Sequence, residues 1–159
     1  MKRYLMITLY FTFSMTVWAQ SHNHATKEHD HKLATHMDEV LKINDELFNA
    51  LLGTDQKIVE MSSKSLSGVL AKSTYPELSK LSTLLKNFKA SNTKAKNIEV
   101  YSDFMPSFIE VFKKNNINTN YEIYYCPMVK KYWIQNSKKM PKVQNVFAQD
   151  MLECGEKKA

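Results

Sequence analysis

Apolar residues recur along the middle of the chain at the three- and four-residue spacing of amphipathic helices. Val40, Ile43, Leu47 and Leu51 form one such set, and Gly53 ends it. Thr54 can cap a second helix carrying Ile58, Met61, Leu66 and Val69. Pro76 suits the first position of a third, with Leu78, Leu81, Leu85 and Phe88 on one face. A fourth carries Ile98, Tyr101, Met105, Phe108 and Phe112. Pro106 lies inside that pattern and predicts a kink or a late start. Only three glycines occur in 159 residues, which suits helices joined by short links. The expected fold class is all-α, an antiparallel bundle of about four helices.

Both ends depart from this pattern. Residues 20–36 are polar, hold all five histidines and offer almost nothing to bury, so a disordered His-rich tail is expected there. The folded domain is then expected over residues 37–156. Near its end Tyr121–Tyr125 alternates, which predicts a C-terminal hairpin or extended segment carrying cysteine and methionine.

The first residues read as a cleavable export signal. Lys2 and Arg3 precede an apolar run from Tyr4 to Trp18, and Val17 and Ala19 supply small residues at the expected cut. A run of about 15 residues is short for a bilayer span, which needs roughly 20. Residues 1–19 are therefore expected to be a signal peptide, leaving a periplasmic or secreted domain without a stable membrane anchor. About 140 residues would remain, enough for one core.

Charge narrows the partners. The chain carries +6, and every basic residue other than Arg3 is Lys. Nucleic-acid readers favour the bidentate guanidinium, so nucleic acid is not an expected partner. The histidines all lie outside the expected core, and no phosphate loop, dinucleotide fingerprint or zinc-protease motif is present. An enzyme is not expected.

Reactive residues gather in one place: Cys126-Pro127-Met128, Trp133, and Met151-Leu152-Glu153-Cys154-Gly155. Two readings stand side by side. Two cysteines in an exported domain commonly form a disulfide, and closing this loop would contribute roughly 3–4 kcal/mol on the chain-entropy model. Alternatively, Cys126, Met128, Met151 and Cys154 form a soft-metal site, because thiolate and thioether donors select Cu(I) and, by the same softness, Ag(I). Trp133 would then pack over the site and limit solvent access. His22, His24, His29, His31 and His36 add a second candidate set, since imidazole suits Cu(II) and similar ions. A cut after Ala19 would also put His22 third in the mature chain, a placement that can wrap Cu(II) in a square-planar nitrogen set.

The motif Tyr124-Tyr-Cys-Pro-Met128, Trp133-Ile134 and Met151-Leu-Glu-Cys-Gly155 resembles the domain-of-unknown-function family numbered 3347. The resemblance spans roughly residues 37–156, with its specific part in the last 30 or so. It implies a small helical periplasmic domain of a kind also fused to adaptor subunits of copper and silver efflux pumps. It puts the family motif on Cys126, Pro127, Met128, Trp133, Met151, Cys154 and Gly155. The chain departs from the family where Val129-Lys-Lys-Tyr132 lacks a turn glycine, and where Gln144-Asn-Val-Phe-Ala148 lacks proline and glycine. The expected function is a copper- or silver-binding carrier, buffer or efflux accessory. The alternative is a disulfide-stapled interaction domain that takes no metal.

Overall fold

The computed structural model describes residues 22–115 and 119–158, with side chains from residue 32 onward. The signal segment, residues 1–19, lies outside the described residues. The chain divides into two units, one ending at Lys32 and one beginning at Leu33. Within the first, residues 22–32 are helical. They open helix α1, which runs His22–Leu52.

Helix therefore covers the His-rich segment from His22, where an unstructured tail was expected. No glycine or proline interrupts the chain before Gly53, and Ala25, Lys27, Glu28 and Lys32 are good helix formers. The second unit begins at Leu33, which packs on the core.

Among the described residues four α-helices form where the periodicity predicts, with altered faces and ends. Helix α2 (Gln56–Ala71) is capped by Asp55, whose side chain accepts a bond from Lys57 N–H at 2.8 Å. It buries Val59, Ser63, Leu66 and Leu70, and leaves Ile58 (52%) and Met61 (68%) exposed. Ser63 can lie inside because its hydroxyl donates to the Glu60 carbonyl at 2.8 Å. Helix α3 (Pro76–Leu81) starts on its proline as expected, and a 3₁₀ turn at Leu84–Asn87 follows. Helix α4 (Lys94–Lys114) is capped by Thr93, runs through Pro106 and buries Tyr101, Phe104, Met105 and Phe108.

A three-stranded sheet overturns the all-α expectation. Strands β1 (Tyr121–Cys126), β2 (Lys131–Asn136) and β3 (Glu156–Lys158) lie in the order β2-β1-β3, antiparallel throughout. The fold is α+β, with helices first and the sheet last in the chain. Aromatic and β-branched residues favour β1 and β2. Trp133, Ile134, Gln135 and Asn136 are all buried, so β2 shows no polar–apolar alternation for a sequence reading to find.

The sheet has two differently covered faces, because neighbouring side chains point opposite ways. Tyr121, paired with Asn136, donates its hydroxyl to Asp45 on α1 at 2.8 Å. The other face carries Tyr124 stacked on Trp133, with ring centroids 5.8 Å apart. Residues 140–155 cover that face.

Candidate functional site

The register of the sheet brings the two cysteines together. Cys126 ends β1, and Tyr125 pairs with Glu156, so the residues just before β3 lie beside the end of β1. Cys126 and Cys154 form a disulfide with their Cα atoms 5.7 Å apart. Cys126 is fully buried. Both cysteine sulfurs are thus bonded to each other and offer no thiolate in this form.

Trp133 lies beneath this closure. Its indole is fully buried between Tyr124 on the neighbouring strand and Phe147, which meets it edge-on. Gly155, next to Cys154, rests on the indole itself.

Two buried amides hold the covering segment, and the sequence reading named neither. Gln135 accepts from Trp133 Nε1 at 3.3 Å and from Gln144 N–H at 3.0 Å. Its own Nε2 donates to the carbonyls of Met140 and Lys142 at 2.8 and 2.7 Å. Asn145 donates to the Cys154 carbonyl at 2.7 Å and accepts from Phe147 N–H at 2.9 Å. Buried amides of this kind cost stability unless fully paired. Single-sequence polarity gives no sign that they lie inside.

Met128 and Met151 sit outside the core. Met128, in the turn following Cys126, is 69% exposed, and Met151 is 44% exposed. Met151 is tied to the closure through its carbonyl, which accepts from Cys154 N–H at 2.9 Å. The two halves of the motif therefore meet, with a methionine near each cysteine.

The histidines divide. His22, His24, His29 and His31 lie on helical backbone whose side chains fall outside the description. His36 stands 6.2 Å from Tyr75, ring to ring, and its Nδ1 is 3.7 Å from a Glu39 oxygen. Among the described residues, no group of three or more His, Cys, Asp or Glu could hold a metal ion. Among the same residues, no helix is long and apolar enough to cross a membrane.

A second polar cluster lies inside the helical layer. Tyr101 donates to Asn44 Oδ1 at 3.2 Å, beside the Tyr121–Asp45 bond. Burial pushes the Asp45 carboxyl above the usual carboxylate range, against the opposing pull of Tyr121 and Lys139. Burial likewise raises both tyrosine hydroxyls, so they remain protonated donors at neutral pH. Each tyrosine is engaged by its partner, so the arrangement reads as structural.

Comparison of the chain with protein-family models, with curated proteins and with solved structures finds no match. The resemblance to family 3347 thus rests on the motif residues that carry it.

Proposed function

We propose that this chain is an exported soft-metal-binding domain that takes Cu(I) or Ag(I) as cargo when its cysteine pair is reduced. The observation that carries this reading is that the joined cysteines each have a solvent-exposed methionine, Met128 or Met151, close by in the chain. Methionine at helical spacing is usually core filler, yet neither of these fills the core. Two electrons and two protons, supplied by a dithiol reductant of the envelope, would open the disulfide to two thiols. Cu(I) would then displace their protons and bind thiolate, with thioether donors completing the set. Loading would be carrier or efflux-accessory work in the periplasm. Export itself rests on the leader sequence.

The disulfide favours a second reading, a stapled interaction domain that takes no metal. One experiment separates the two. The reduced domain is titrated with Cu(I) against a competing chelator, with thiols counted, for wild type, Met128→Leu and Met151→Leu. These substitutions roughly conserve volume and should cost under about 1.5 kcal/mol of stability. Weakened Cu(I) binding in either variant supports the four-sulfur site. Unchanged affinity in both sinks it and leaves the staple.

A further inference from the structure

The groove between α4 and the β1–β2 turn is not used by the metal reading. It encloses about 220 Å³, below the roughly 300–1,000 Å³ of drug-sized sites. A small ligand or a single head group matches that size. Pro106 and Ile109 give it an apolar wall, and half-exposed Tyr132 lies at its edge.

Three lysines line the same groove: Lys113, Lys130 and Lys131. Among the described residues, none of the three has a carboxylate within 4.0 Å, a state they share with several other surface lysines; what sets them apart is that they line one groove. Helix polarity accounts for Lys113, in the last turn of α4. It does not account for Lys130, the last residue of the turn, or Lys131, the first of β2. Lys130 also holds the left-handed backbone conformation, φ 54°, where glycine or asparagine is the usual residue.

Ser102 completes the lining. It is only 9% exposed, and its hydroxyl has no hydrogen-bond partner among the described residues. Pro106, four residues on, has no N–H to give the Ser102 carbonyl. A free hydroxyl, an apolar wall and three unpaired cations in one small groove define an amphiphilic ligand of negative charge.

We propose that this groove binds a small organic oxyanion, a carboxylate or phosphate on a compact apolar body. The oxyanion meets the lysines and Ser102, and the apolar part lies on Pro106, Ile109 and Tyr132. The site requires neither metal nor reduction of the disulfide.

The test is a two-dimensional NMR titration of the oxidised, full processed chain with phenyl phosphate, benzoate and the neutral benzyl alcohol. Saturable shifts at Ser102, Ile109, Lys113 and residues 130–132 are expected with the two anions only. An exposed ammonium about 4 Å from an oxyanion contributes about 1 kcal/mol, or fivefold. Lys130→Gln with Lys131→Gln should therefore weaken phenyl phosphate at least fivefold, while Lys57→Gln with Lys86→Gln should not. Equal response to benzyl alcohol, shifts mapping elsewhere, or undiminished binding by the turn variant would overturn the proposal. A parallel arm with phosphatidylglycerol vesicles tells the source: protection of the same residues by vesicles makes the anion lipid-borne, and response to the soluble anions alone makes it a free solute.

Discussion

The Cβ that any other residue would carry at position 155 lies 2.5 Å from Cη2 of Trp133. Real Cβ atoms do not approach other heavy atoms so closely, and Val143 stands 3.1 Å from the same point. The indole cannot retreat, because Tyr124 and Phe147 pack against it. Gly155→Ala should therefore destabilise the domain by roughly 1–3 kcal/mol, the usual cost of overpacking. Denaturant unfolding measures the loss, and near-ultraviolet circular dichroism reports the displaced tryptophan. A variant of wild-type stability would show that the covering segment simply lifts.

The disulfide fixes that segment to the sheet. Cys126→Ser should cost roughly 2–5 kcal/mol in the oxidised protein. Reduction of wild type should shift its unfolding midpoint nearly as far, and leave the variant unmoved. If reduction destabilises both equally, the effect lies outside the Cys126–Cys154 bond.

Asp45 gives the stability a pH dependence of known sign. Its folded-state carboxyl titrates above its ordinary 3.8, through burial. Below that ordinary value both states are protonated and the buried group costs nothing. The cost grows as pH rises through the raised folded value. Asp45→Asn keeps an acceptor for the Tyr121 hydroxyl and removes the charge. Its melting temperature should exceed that of wild type at pH 7, and the gap should narrow as the pH falls towards about 4. A gap independent of pH would rule out the carboxylate as its source.

Gln135→Ala should be worse than its polarity suggests. It strands Trp133 Nε1, Gln144 N–H and the carbonyls of Met140 and Lys142 together. Each buried unpaired group costs about 1–3 kcal/mol, so a loss above about 2 kcal/mol is expected. Amide exchange should quicken most over residues 140–145. Uniform quickening across the domain would place the loss elsewhere.

The helices were legible because Leu47, Leu51, Leu78, Leu81 and Phe108 repeat at helical spacing and are indeed buried. The face of α2 was misread, since Ser63 counts as polar yet satisfies its hydroxyl within its own turn. Strand β1 announced itself by alternation. Strand β2 did not, being buried on both faces, and Glu156–Lys158 is too short and too polar to read as a strand at all. Cys126 and Cys154 stood out by residue type, and the structure joins them. Gln135 and Asn145, which hold the covering segment, did not stand out, because nothing in one sequence separates a buried amide from a surface one.

The order of the sheet has a consequence for how the chain is made. Strand β1 lies in the middle, but β3 and Cys154 follow it by 28 residues or more. During synthesis from the amino end, the helices and the β1–β2 hairpin can assemble while one edge of β1 still has no neighbour. An unpaired edge is a template for wrong partners, and Cys126 stands at its end as an unclaimed thiol. The interval before Cys154 emerges is therefore when this protein is most open to mispairing, and a chain halted inside residues 137–153 would keep that edge and that thiol exposed.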